Sequence, residues 1–343
     1  MYDTFSDFLK DKKQICIIQA ENPDGDSLGS ALALDYLLKD VEISLYCPVE
    51  VPKYLRYFKD WSRVSNEFDF AADGYIIVDT AANVLLSKLL EVPAIAERLQ
   101  HQPVFVLDHH ETEDDISFAH QGIIQTLPAC ADLIYRIAKE QNLLSENHAA
   151  LDEVEKNREQ KACEYLYYAI LSDTLGLSSA SVTAETFTTI ADLVSRGLSV
   201  SDLDEQRREF SKKSIRILNY KANLIKRVEY YLDNTLATVH IPWDDISDYS
   251  DEYNPNVLIL EELRTVQGID VAVAIKTYPD GKVTGKIRTT VPIADKIAEF
   301  FGGGGHPFAS GFRTYDLSYE DAVHELITAI ATIKDKDGGP KDA

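Results

Sequence analysis

Basic residues are scarce in this chain. Lys and Arg number 34 against 57 Asp and Glu, giving a formal net charge of −23 over 343 residues. A field of that sign repels phosphate backbones, so non-specific binding to long duplex nucleic acid is excluded, whereas a local cationic pocket for a small phosphorylated ligand is not. Cysteine is sparse too. Cys16, Cys47, Cys130 and Cys163 are scattered without a Cys-x-x-Cys pair, so neither a zinc nor a disulfide framework is expected. No apolar run approaches membrane-spanning length, and residues 1–13 are polar and mixed in charge, unlike a signal peptide. These absences lead to the expectation of a cytoplasmic protein with no membrane partner.

What is present is a rhythm. Apolar β-type runs at 15–18, 42–46, 74–78 and 104–107 alternate with helical patterns at 31–39 and 81–90. That alternation predicts an α/β fold with a doubly wound, mostly parallel sheet. Helical spacing follows at 129–138, 163–171 and 184–197, with 143–161 as a charged connection. Beyond a charged helical stretch at 202–231, strands return at 236–241, 271–278, 282–289 and 309–314, with helices at 293–300 and 319–333. Asp280-Gly281 is a hairpin turn signal. The expected organisation is a catalytic domain over 1–200, a helical connector over 201–231, a smaller α/β domain over 232–336 and a polar tail at 337–343.

The residues with chemistry fall at element ends. Asp24 and Asp26 follow the first strand, Asp79 the strand at 74–78, Asp108-His109-His110 the strand at 104–107, and Asp173 the helix at 163–171. Doubly wound sheets collect ligand-binding groups beyond the carboxyl ends of their strands. Two aspartates one residue apart repel each other unless a cation lies between them, and carboxylates suit Mg²⁺ or Mn²⁺. Taken singly, each aspartate also reads as a turn or helix cap. Adjacent imidazoles have less structural use, since one can ligate a metal while the other faces substrate. Gly302–305 before His306 reads as a loop whose open N–H groups approach a phosphate, not as a packing feature, with Arg288 placed for a bidentate contact.

In order and approximate spacing, Pro23-Asp24-Gly25-Asp26-Ser27-Leu28-Gly29-Ser30, Val78-Asp79-Thr80, Asp108-His109-His110, Ser172-Asp173-Thr174 and Gly302-Gly303-Gly304-Gly305-His306 resemble the motifs of the DHH phosphoesterases. The last is similar to the motif of their DHHA1 subdomain. The resemblance covers nearly the whole chain and looks most like the branch of nanoRNases and phosphoadenosine-phosphate phosphatases. It implies two Mn²⁺ ions, with Mg²⁺ as the alternative, held by Asp24, Asp26, Asp79, His109 and Asp173, Asp79 bridging them. By the same resemblance His110 contacts the scissile phosphate and Asp108 supports it, so that His110, Asp79 and Asp108 form the catalytic set. Arg288, Gly303, Gly304, Gly305, His306 and Ser310 would grip the substrate, in a cleft between the domains. The implied substrates are short RNA, pGpG- or pApA-like dinucleotides, or 3′,5′-bisphosphorylated adenosine. A homodimer is left open.

The chain departs from the family at one place. The histidine expected three residues before Pro23 is Ala20, and a methyl group cannot ligate. Strand alternation turns the flanking Gln19 and Glu21 away. The first metal site is therefore expected to be weakened. A two-metal enzyme with one weak site, a one-metal enzyme and a degenerate nucleotide-binding pseudoenzyme all stay open, as does a cyclic dinucleotide phosphodiesterase.

Overall fold

The apolar runs of the N-terminal half become six parallel strands in the order β3-β2-β1-β4-β5-β6. They are β1 (Gln14–Ile18), β2 (Glu42–Tyr46), β3 (Val64–Ser65), β4 (Gly74–Val78), β5 (Val104–Asp108) and β6 (Gln121–Ile124). The order reverses direction between β1 and β4, which is where doubly wound sheets open a crevice at their carboxyl ends. The computed structural model describes residues 2–111, 114–315 and 317–337, and the chain divides into two compact units, Met1–Lys212 and Lys213–Ala343.

In the first unit, residues alternate between the two faces of the sheet, and both faces are buried. Ile15, Ile17, Ile76, Val78, Phe105 and Leu107 meet one core, with α1 (Asp3–Leu9), α2 (Gly25–Leu37), α5 (Cys130–Glu140) and α6 (Glu153–Asp173). Cys16, Ile18, Tyr75, Ile77 and Val106 meet the other, with α3 (Ser87–Leu90) and α4 (Pro93–His101). Each fully buried aliphatic side chain contributes about 1.5–3 kcal/mol. Helices α7 (Ala184–Ser195) and α8 (Val200–Ser211) complete the unit.

Two helices start well before the sequence pattern suggests. The helix expected at 31–39 begins at Gly25, because the Asp24 side chain accepts from the Asp26 and Ser27 backbones and Ser27 returns the bond in a capping box. Of the charged stretch expected as a connection at 143–161, residues 153–161 form the first part of α6, capped by Asp152. Its Glu159 faces inward, where Arg196 and His148 hold it at 3.0 Å. Helices α2 and α6 pack so closely that a Cβ on Gly29 would lie 2.7 Å from the Tyr165 carbonyl, and one on Gly25 would lie 2.2 Å from Ser172 Oγ. That approach brings the start of α2 to the end of α6.

The second unit comprises α9 (Ile215–Lys226), β7 (Glu229–Tyr231), β8 (Leu236–Ile241), α10 (Trp243–Tyr249), α11 (Pro255–Leu263), β9 (Val271–Thr277), β10 (Lys282–Thr289), α12 (Ala294–Phe300), β11 (Gly304–His306), β12 (Ala309–Tyr315) and α13 (Tyr319–Asp337). Its sheet runs β11-β12-β10-β9-β8-β7 and is antiparallel except for β8 beside β9. One face buries Val273, Ile275, Val283, Ile287 and Phe312 with residues of α12 and α13. On the opposite face α9, α10 and α11 cover β8 and β9 only, and no described residue of β10, β11 or β12 joins that core.

Residues 201–231, expected as a connector, are divided between the units: α8 belongs to the first, α9 and β7 to the second. The tail expected at 337–343 lies, beyond Asp337, outside the described residues. No helix among the described residues is long and apolar enough to cross a membrane.

Candidate metal centre

The carboxyl ends of β1, β4 and β5 and the end of α6 converge. His109 Nε2 lies 3.3 Å from Asp79 Oδ1, 3.6 Å from Asp173 Oδ2 and 3.7 Å from Asp26 Oδ2. The other ring nitrogen of His109 donates to the Leu127 carbonyl at 2.9 Å, so in the neutral imidazole Nε2 carries the lone pair that faces these three carboxylates. His109 Nε2 and Asp79 Oδ1 are both buried and neither has a hydrogen-bond partner. Two acceptors facing each other 3.3 Å apart repel unless a proton or a cation lies between them. Asp26, His109 and Asp173 present converging ligand atoms, as do Asp79, His109 and His110. A mixed imidazole and carboxylate set of this kind fits a divalent cation such as Mn²⁺ or Mg²⁺.

The electrostatics are those of a site short of positive charge. Asp26 is wholly buried and its carboxyl is pushed up to about 7 by desolvation, with His109 opposing and the Asp173 and Asp24 charges adding. Burial, then the Asp26 and Asp24 charges, raise Asp79 well above the carboxylate range, and burial raises Asp173. Asp79 also holds a left-handed backbone (φ 65°), a conformation that is uncommon for residues other than glycine. Asp26 is fixed by the first turn of α5, accepting from Cys130 N at 2.6 Å and Ala131 N at 3.0 Å. Nothing in the sequence signalled that anchor, because it joins residues more than a hundred positions apart.

Asp24 stands at the edge of the cluster. One of its oxygens caps α2, and its charge acts on Asp26, Asp79 and Asp173. Asp108 is buried beneath His110, whose Nδ1 it holds at 2.7 Å while also accepting from the His109 backbone. Burial acts to raise Asp108, but these bonds win and hold it below the usual carboxylate range. The same bond to Asp108 raises His110, whose ring is half-exposed. His110 thus combines access to ligand with a strengthened hold on its proton.

Around the departure at Ala20, both neighbours are accounted for differently. Glu21 does turn away: its carboxylate accepts from Ser87 Oγ and Lys88 N at 2.8 Å, at the start of α3. Gln19 turns inward and is fully buried, with neither atom of its amide partnered.

In the second unit the glycine run has packing reasons that the sequence reading denied it. Gly302 N and Gly303 N close the end of α12 on the Glu299 and Ala298 carbonyls. A Cβ on Gly303 would sit 2.3 Å from the Gly311 carbonyl, and one on Gly305 would sit 2.7 Å from Ser310 Cα, because Gly304–His306 is a strand lying against β12. Gly304 alone of the three candidate glycines faces open space. Ser310 is turned away: it pairs with Ile287 on the apolar face and its hydroxyl donates to the Ala294 carbonyl, a consequence of strand alternation. Arg288, Ala309 and His306 pair in register across the opposite face, with Arg288 half-buried and His306 exposed. Sequence reasoning missed three further cations on that face, Lys276, Lys286 and Arg313. The available signal was Lys276 interrupting an apolar strand and the alternating Lys286-x-Arg288.

Residues 14–170 match the N-terminal domain of the DHH family. The chain is 25% identical over 313 residues to the bifunctional oligoribonuclease and PAP phosphatase NrnA of Thermus thermophilus, covering 90% of this chain and 86% of that one. It is 22% identical over 303 residues to the protein of the same name from Bacillus subtilis, covering 88% and 89%. The crystal structure of an exopolyphosphatase-related protein from Bacteroides fragilis shares the fold, with a TM-score of 0.76 at 19% identity over 97% of this chain and 96% of that one.

Proposed function

We propose, for a chain whose residues 14–170 form a DHH-family N-terminal domain, a metal-dependent phosphoesterase that hydrolyses short oligoribonucleotides and 3′,5′-bisphosphorylated adenosine. The observation that carries the reading is His109 Nε2, unpartnered and facing three buried or half-buried carboxylates within 3.7 Å. Asp26, Asp79, His109 and Asp173 would hold one cation, and Asp24 with Asp79 a second. Divalent cations there supply Lewis-acid neutralisation of a phosphoryl group and lower the pKa of water, and Mn²⁺ suits the donor set. His110 binds the substrate phosphate and holds a proton at its exposed ring nitrogen for the leaving group, a role that the raised affinity conferred by Asp108 favours. In the second unit, Arg288 and His306 would offer donors to an anionic ligand.

Ala20 leaves the Asp24 and Asp79 position without the family's imidazole, so one site is weaker than the other. The Gln19 amide, adjacent to Ala20 in sequence, is buried without a hydrogen-bond partner.

Incubating the purified protein with Mn²⁺ and a panel of 5′-labelled di- to pentaribonucleotides, bisphosphorylated adenosine and cyclic dinucleotides tests the reading, with metal content measured in parallel. Mononucleotide products from the RNAs and adenosine monophosphate from the bisphosphate are expected. Intact substrates and no bound metal would leave only a nucleotide-binding relative.

A further inference from the structure

Beside the metal centre, the first unit presents an aromatic ring that its core does not use. Beyond β2 the chain enters a short turn at Lys53–Leu55, closed by Leu55 N on the Pro52 carbonyl at 3.0 Å and Arg56 N on the Lys53 carbonyl at 3.2 Å. Leu55 and Phe58 anchor the turn in the core, where both are buried. Arg56 braces it further: its Nε donates to the Val51 carbonyl, and its guanidinium lies 4.3 Å over the Trp61 ring. With positions 55 and 58 turned inward, position 54 is turned out, and Tyr54 is 65% exposed.

Exposure alone means little, since single apolar side chains are common on protein surfaces. Placement sets Tyr54 apart. Its hydroxyl donates to the Pro23 carbonyl at 3.2 Å, and Pro23 directly precedes Asp24, a ligand of the weaker cation. The Asp24 charge reaches the Tyr54 hydroxyl, as it does that of Tyr57. Tyr57 comes close to the same stretch, with its hydroxyl 3.8 Å from where a Cβ on Gly25 would be. The two rings differ in their neighbours. Tyr57 packs against Phe58 at 4.7 Å and Tyr168 at 5.1 Å, whereas among the described residues no ring or cation stacks on Tyr54. Tyr54 is thus held at its backbone and at its hydroxyl, with most of its surface left open. A ring fixed in this way has little conformational entropy to lose when a ligand settles on it.

We infer that Tyr54 is a base platform: a nucleobase stacks on its ring while the phosphate of the same nucleotide lies at the metal centre. The nature of the ligand follows from the proposed phosphoesterase function, because short RNA and bisphosphorylated adenosine share a nucleoside next to a phosphate. Stacking suits such a range, since every base offers a π-face and none is singled out. The bond to Pro23 sets the ring against Asp24, and the ring supplies affinity on the side of the centre where Ala20 leaves the cation weaker.

The test titrates the full-length chain in Mn²⁺ with 2-aminopurine riboside 5′-monophosphate, a fluorescent nucleotide with no phosphodiester to cleave. Stacking on Tyr54 should quench its emission beyond the quenching by free Mn²⁺ that all variants share. Tyr54→Ala should abolish that quenching and weaken binding by about five- to a hundredfold, the range of one base–aromatic stack. Tyr54→Phe keeps the ring, so it should retain the quenching and bind within about threefold of wild type. Ribose 5-phosphate, which has no base, should bind all three chains alike by calorimetry. Unquenched emission in wild type, equal nucleotide affinity in wild type and Tyr54→Ala, or a loss in Tyr54→Phe as large as in Tyr54→Ala would each overturn the platform. So would an equal loss of ribose 5-phosphate affinity in Tyr54→Ala, which would show that the side chain only holds the stretch around Asp24. Turnover of diribonucleotides in Mn²⁺, assayed separately, reports on the catalytic reading alone.

Discussion

Removing metal should make the first unit sensitive to mild alkali. Burial raises the Asp26 carboxyl from 3.8 to about 7, so between these values the folded chain keeps a proton that the unfolded chain has released. Stability then falls as pH rises, because the native state binds more protons than the unfolded state. The loss begins above the unfolded value and is complete above the folded one. At 1.36 kcal/mol per unit, and with the slope halved as pH reaches the folded value, Asp26 alone accounts for about 2 kcal/mol between pH 5 and pH 7. Asp79 and Asp173 shift in the same direction and add to it. For a unit of about two hundred residues the Asp26 share corresponds to a fall in Tm of roughly 4–8 °C. Thermal denaturation in EDTA from pH 5 to pH 8 measures it. Asp26→Asn isolates the contribution of this group and should flatten the slope. Saturating Mn²⁺ should raise Tm more at pH 8 than at pH 5, since the cation displaces the protons that stabilise the acid form. A metal-free Tm that is level or rises with pH, or a slope unaltered in Asp26→Asn, would refute the account of the buried cluster.

Other expectations concern single side chains. His110→Ala should lower kcat by a hundredfold or more in a chain that still folds, with a modest fall in Tm because buried Asp108 loses its bond to the imidazole. Asp108→Asn should move the His110-controlled limb of the pH–rate profile to lower pH, because the bond that raises His110 is gone. Ala20→His should tighten the weaker cation site by about ten- to a hundredfold by calorimetry, and a binding isotherm identical to wild type would show that position 20 does not face the metal. Gly29→Ala should cost about 1–3 kcal/mol by urea denaturation, because its methyl has no room between α2 and the Tyr165 carbonyl.

The parallel sheet was legible because burial on both faces writes strands as short continuous apolar runs. The bounds at 42–46, 74–78 and 236–241 coincide with β2, β4 and β8. Less visible were elements whose logic is not periodic. Strand β3 is two residues long, β6 is mostly exposed, and α4 and α11 begin at prolines, which read as breaks. Helix α6 was half hidden because Glu159, a charged residue, is buried against Arg196, a pairing fixed by tertiary contact alone.

The metal centre and the second unit differ in how much chemistry shows in sequence, and the reason is the packing of each. In the first unit, acceptors are gathered at strand ends, so every aspartate that matters sits next to an apolar run that reveals it. The contacts that tune them, Leu127 on His109 and the α5 backbone on Asp26, use main-chain groups that carry no residue signature. In the second unit the glycine run drew notice, yet Gly303 and Gly305 are there because β11 lies against β12, while the cations of the neighbouring strands lie on the uncovered face of the sheet. A run of glycine marks close approach without saying whether the approaching partner is a ligand or a strand. Only the alternation of Lys276, Lys286, Arg288 and Arg313 onto one uncovered face distinguishes the two, and it needs the register of β9, β10 and β12 to be seen.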